Sequence, residues 1–103
     1  MPELRFDITP QGASRLVIAV AGEIDMATAP QLLECLHDHS DRDVLLEFSG
    51  VTFLDSCGIG ALVSGRNALR DAGRTLNITG ERDNIRKVLD VAGLYAILHD
   101  NDA

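Results

Sequence analysis

Tryptophan is absent from the chain, and its 103 residues include only four aromatics, three Phe and one Tyr. The core must therefore be aliphatic, built from Leu, Val, Ile and Ala. No run of about 18 apolar residues occurs, which excludes a membrane-spanning helix. A basic, apolar, small-residue leader is also missing, so no signal peptide is expected. Cysteine is scarce: Cys35 and Cys57 stand without metal or redox spacing, as expected of a reduced, cytoplasmic protein. Bases are outnumbered, 9 against 16 acids, for a net charge of −7. That balance argues against nucleic acid and anionic membrane as direct partners and suits a partner with a basic docking face.

What is present is ordinary globular composition, 46% hydrophobic and 24% charged, enough for one domain over residues 1–103. Leu4, Phe6 and Ile8 alternate with polar residues, the period of a half-exposed strand. Gln11-Gly12 turns the chain into Leu16–Ala21, a near-continuous apolar run that predicts a strand buried on both faces. Thr28 and Gln31 fit a capping box, with Pro30 in the first helical turn and Ala29, Leu32, Leu33 and Leu36 on one stripe. Val44–Phe48 predicts the third strand, and Ile59, Leu62, Val63 and Leu69 a second helix ended by Gly73. Leu76 and Ile78 mark a short fourth strand. Ile85, Val88, Leu89 and Ala92 form a third helical stripe, with Gly93 and Leu94 placed for a Schellman cap. The apolar tail from Leu94 to Leu98 is too short to assign. The order is β-β-α-β-α-β-α, an α/β domain with a mixed sheet of four to five strands.

In such a sheet the loops after parallel strands gather at one edge. Residues 22–28 and 49–56 share that edge, bringing Glu23, Asp25, Asp55 and Ser56 into one neighbourhood. The stretch Phe53-Leu-Asp-Ser-Cys-Gly-Ile-Gly60 then starts the second helix, with Ser56 expected at its N-cap and free backbone amides beyond it. Capping leaves Gly58 and Gly60 unexplained, since each costs a helix ~1 kcal/mol relative to Ala. Their missing side chains would let another protein approach the Ser56 hydroxyl closely.

Catalysis finds little support here. Leu54 stands where a nucleophile elbow needs Gly, Val63 where a dinucleotide fingerprint needs Gly, and there is no Walker lysine. His37, His39 and His99 have no spacing that suggests a base for Ser56 and are expected on the solvated surface. Cys57 is expected to be packed and inert, and Arg66, Arg70 and Arg74 to line a solvated helix face.

With "GEID" at 22–25, "ATAPQL", "VLLEFSGVTFLDSCGIGAL", "AGRTLNITG" and "IRKVLDVAGL", the chain resembles STAS-domain anti-sigma factor antagonists over nearly its whole length. The resemblance implies a cytoplasmic regulator without cofactor, metal or enzymatic activity. Its partner would be an anti-sigma factor with serine kinase activity, which phosphorylates Ser56, and a serine phosphatase would reverse the mark. Implied docking residues are Glu23, Asp25, Thr28, Asp55, Ser56, Cys57, Gly58 and Gly60, on a chain expected to be monomeric when free. Where the family often has Ser or Thr, Cys57 stands here, leaving a single hydroxyl. Two other readings stay open: a non-phosphorylated STAS scaffold or lipid-transport partner, and a small hydrolase using Ser56.

Overall fold

The computed structural model describes residues 3–99. Its elements run β1 (Arg5–Gln11), β2 (Arg15–Ile24), α1 (Ala29–Asp38), β3 (Asp43–Leu54), α2 (Ser56–Asp71), β4 (Leu76–Thr79), α3 (Asp83–Val91) and α4 (Tyr95–Leu98). One sheet of four strands has the order β1-β2-β3-β4. β1 is antiparallel to β2, whereas β2–β3 and β3–β4 are parallel. The expected order holds with one addition, because the unassigned tail forms the short α4. Residues 100–103 lie outside the described residues.

The sheet is not buried on both faces. In β2, Leu16, Ile18 and Val20 are buried, while Val17, Ala19 and Ala21 between them are only half-buried. β3 repeats this with Val44, Leu46 and Phe48 inside. Helical residues Leu32, Leu36, Leu62, Leu69, Ile85 and Leu89 belong to the same buried cluster, so the helices cover one face. The apolar run at 16–21 is therefore a one-sided strand whose outer positions hold Val and Ala. Among the described residues no helix is long and apolar enough to cross a membrane.

β3 is much longer than its apolar core predicts, because the strand continues through Ser49-Gly50. A register shift between Ala19 and Ala21 of β2 marks a bulge there. Glu47 satisfies the irregular backbone: its Oε2 accepts the Ser49 amide at 3.1 Å and its Oε1 the Ser49 hydroxyl at 2.9 Å. β4 pairs with β3 only over Val44–Glu47. Beyond that point Arg82 Nε donates to Ser49 O at 2.9 Å, and Asn84 Nδ2 to Thr52 O at 3.2 Å. Two side chains thus continue the ladder that β4 abandons, and hold the end of β3 where α2 begins.

α2 and α3 end as their glycines predict. Gly73 and Gly93 have φ of 79° and 77°. Their successors close the caps, the Arg74 amide donating to Leu69 O and the Leu94 amide to Leu89 O, both at 2.8 Å. α4 is pinned at two points, and His99 also closes back on its own turn. Asn77 Nδ2 donates to Leu98 O at 3.1 Å, His99 Nε2 lies 2.6 Å from Glu81 Oε2, and His99 Nδ1 lies 2.7 Å from Tyr95 O. His99 is therefore not a free surface residue, because closing the tail onto β4 draws its ring against a largely buried carboxylate.

Candidate functional site

β2 and β3 end side by side, with Ile24 paired to Leu54, and each is followed by an aspartate. The Asp55 amide donates to Ile24 O at 3.2 Å, tying the two exits together. After β2, Asp25 Oδ1 accepts the amides of Ala27 at 2.9 Å and Thr28 at 3.1 Å. Thr28 makes no side-chain cap for α1. Its hydroxyl instead donates to Glu23 O at 2.7 Å and accepts the Asp25 amide at 2.9 Å. The capping-box reading is thereby corrected: the Thr28 backbone is already helical, which turns its hydroxyl back into the loop.

Ser56 is not the N-cap of α2. The N-cap of α2 is Asp55, whose extended backbone and short carboxylate suit that position. Its Oδ1 accepts the Cys57 amide at 2.9 Å and the Gly58 amide at 3.1 Å. Ser56 is the first helical residue, exposed, and its hydroxyl has no capping work to do. The Cys57 and Gly58 amides are thus taken by the aspartate, and the helix dipole favours that negative charge.

The two glycines separate into different roles. A Cβ on Gly58 would lie 2.3 Å from Leu54 Cδ1 and 2.8 Å from Ile24 Cγ2, so its absence seats α2 on the ends of β2 and β3. Gly60 is exposed, and a Cβ there would meet nothing within 4 Å. Only Gly60 leaves backbone open to an approaching molecule. Cys57, expected to be packed, is an exposed free thiol, because the start of α2 turns this position outward. Cys35 is the buried one, and burial, helped by Asp38, pushes its thiol up from the ordinary value.

Ser56 and Cys57 lie between two apolar recesses. One, of about 440 Å³, is bounded by Asp55, Ser56 and Ile59 of the α2 end and by Lys87, Val88 and Val91 of α3. The other, of about 360 Å³, is bounded by Met26, Pro30 and Leu33 on one side and Cys57, Gly60 and Ser64 on the other. Val91 and Met26 are 91% and 76% exposed. Sequence reading missed both flanks. The available signal was apolar residues falling off the buried stripes, Val91 next to the α3 stripe and Met26 in a polar loop.

Of the residues expected to cluster, Asp55, Ser56, Cys57 and Gly60 share this ridge. Thr28 and Gly58 are buried beneath it, and Asp25 is half-buried in the loop that it organises. Glu23 stands apart: it pairs in register with Phe53, and both are exposed on the sheet face away from the helices. Among the described residues no three His, Cys, Asp or Glu side chains are grouped to hold a metal. His37 and His39 are at the far end of α1, where His39 Nδ1 lies 2.8 Å from Cys35 O.

Two expected results follow from this geometry. Asp55→Ala removes the cap and should cost about 0.5–2 kcal/mol in thermal melts, whereas Asp55→Asn, which keeps an acceptor, should lose far less. Equal losses would show that charge, not capping, is the contribution. Cys57 should react with a maleimide in the folded protein while Cys35 does not, with peptide mapping after labelling as the check.

Comparison with known proteins places the molecule. The family described as Mlab, STAS domain matches residues 9–99. An anti-sigma-B factor antagonist of Staphylococcus aureus is 32% identical over 88 residues, covering 82% of each chain, and its Staphylococcus epidermidis counterpart matches to the same extent. An anti-sigma factor antagonist from Mycobacterium paratuberculosis superposes with a TM-score of 0.76 at 24% identity, over 94% of this chain and 83% of that one. SpoIIAA in its unphosphorylated form gives 0.73 at 22% identity, over 88% and 83%. The chain belongs to the STAS-domain family that includes the anti-sigma factor antagonists.

Proposed function

We propose that the chain is an anti-sigma factor antagonist whose α2 ridge docks an anti-sigma factor with serine kinase activity, and that phosphorylation of Ser56 switches the docking off. The observation that carries this reading is the exposed, unengaged Ser56 hydroxyl on a ridge between two apolar recesses. Apolar flanks supply the buried area that binding needs, and the open backbone at Gly60 allows close approach. A phosphate adds about −1.5 to −2 charge at neutral pH. With the Cys57 and Gly58 amides already donating to Asp55, those two donors are not open to the phosphate, which projects from the ridge. There it presents a desolvation cost and a repulsive charge to any partner shaped for the free hydroxyl, while the fold stays intact. SpoIIAA offers a parallel, since it has been solved in a phosphorylated form that superposes on this chain with a TM-score of 0.67 at 20% identity, over 96% of this chain and 92% of that one. A serine phosphatase would restore the docking state.

Incubation with a candidate anti-sigma kinase and labelled ATP tests the proposal. Label on Ser56, absent from Ser56→Ala, is the expected result. Binding to the kinase without any label would leave a non-phosphorylated scaffold and overturn the switch. Alone, the protein should turn over neither ATP nor model esters, because among the described residues no side chain hydrogen-bonds the Ser56 hydroxyl to draw off its proton, and His37 and His39 are at the far end of α1. Turnover abolished by Ser56→Ala would instead make it a hydrolase.

A further inference from the structure

At the opposite end of α2 from Ser56 lies a recess of about 150 Å³ walled by Arg66, Arg70 and Arg74. Its remaining wall comes from Thr75 just before β4, from Leu76 and Asn77 at the start of that strand, and from Ile97 of α4. Arg66 and Arg70 project from successive turns of α2. Arg74 joins them because the left-handed turn at Gly73 folds the chain back, with the Arg74 amide held by Leu69 O. A rise of about 1.5 Å per residue puts Arg70 about 21 Å from Ser56, so the recess is not part of the docking ridge.

A third of the nine bases of an acidic chain converge here. Among the described residues none of the three guanidinium groups has a carboxylate partner. Glu81 instead contacts His99, outside the recess walls, and Arg70 Nη2 donates only to the neutral Asn67 Oδ1 at 3.2 Å. Asp43 uses Oδ1 to accept the Thr75 amide at 3.0 Å, and Asp71, which follows Arg70 at the end of α2, forms no ion pair with the three arginines. Placing arginines at a helix C-terminus is favourable by itself, but that end carries only about half a negative charge. Three guanidinium groups over-compensate it several-fold and repel one another unless an anion sits between them.

We propose that this recess binds a phosphate-class dianion, either free phosphate or the terminal phosphate of a small phosphomonoester. Guanidinium forks match tetrahedral oxyanions in a bidentate manner. The volume corresponds to roughly five water molecules and is below the ~300–1,000 Å³ of pockets that enclose larger ligands, so the anionic group alone enters.

The test is amide NMR of the full chain, titrated with orthophosphate and, separately, with glycerol phosphate, against chloride at matched ionic strength. Saturable shifts at Thr75, Leu76 and Asn77 that chloride does not reproduce are expected. Arg70→Gln combined with Arg74→Gln should weaken binding about tenfold or more, and Arg70→Lys by less, because it keeps charge but loses the fork. Tighter binding of glycerol phosphate would assign the site to a monoester, and equal or weaker binding to free phosphate. Shifts that fail to saturate, that chloride matches, or that persist in the folded double variant would overturn the site.

Discussion

Ser56→Asp should bind the anti-sigma partner at least about tenfold more weakly than Ser56→Ala, with both variants as well folded as the parent. Calorimetric titration against the partner and thermal melts provide the two readings. The alanine variant loses a hydroxyl that makes no cap, so its stability should change by no more than ~0.5 kcal/mol, as for an ordinary surface site. This departs from the larger loss that a capping serine would imply. The aspartate variant puts a second carboxylate one residue after Asp55, at a helix N-terminus that tolerates negative charge. Its cost falls on the complex. Like charge or an unpaired carboxylate buried in an interface costs several kcal/mol, and each 1.4 kcal/mol is a factor of ten in affinity. Equal affinities of the two variants would remove the charge switch and leave the ridge as a constitutive docking surface.

The outline of that ridge was legible in the sequence, and its details were not, for a consistent physical reason. Periodicity reports burial, so the helices over Leu32, Leu62 and Ile85 and the strand over Val44–Phe48 could be read directly. Features set by side-chain-to-backbone bonds left no periodic trace. Residues 49–56 read as a loop, yet Glu47 and Arg82 satisfy the backbone of Ser49, and Asn84 that of Thr52, keeping both in β3. Asp55 and Ser56 are both good caps by residue type, and only the amide geometry at Cys57 and Gly58 assigns the work to Asp55. Exposure was the other blind spot. Cys57, Met26 and Val91 are residue types that favour the interior, and composition alone places them there. The structure turns all three outward around one serine, a pattern better suited to a docking surface than to a failed core.

The two glycines of the first turns of α2 give the last expected result, a pair of alanine substitutions with opposite signs. On propensity alone, each Gly→Ala in a helix gains up to ~1 kcal/mol. At Gly60 nothing opposes that gain, since the new methyl points into open space. Gly60→Ala should therefore raise the melting temperature, by about 4–8 °C for each kcal/mol in a domain of this size. At Gly58 the methyl would overlap the buried Leu54 and Ile24 side chains and press against Ile24 O at 3.2 Å. Overpacking of that kind typically costs ~1–3 kcal/mol, which outweighs the propensity gain and makes Gly58→Ala destabilising. Partner binding separates the roles further. Gly60→Ala, though more stable, should bind more weakly if the partner's backbone approaches that bare turn. Gly58→Ala should lose binding only in proportion to how far α2 is pushed off the strand ends. The pairing fails if Gly58→Ala is the more stable of the two, because α2 would then rest on β2 and β3 loosely enough to absorb a methyl. The ridge carrying Ser56 would in that case be set by the Asp55 cap alone.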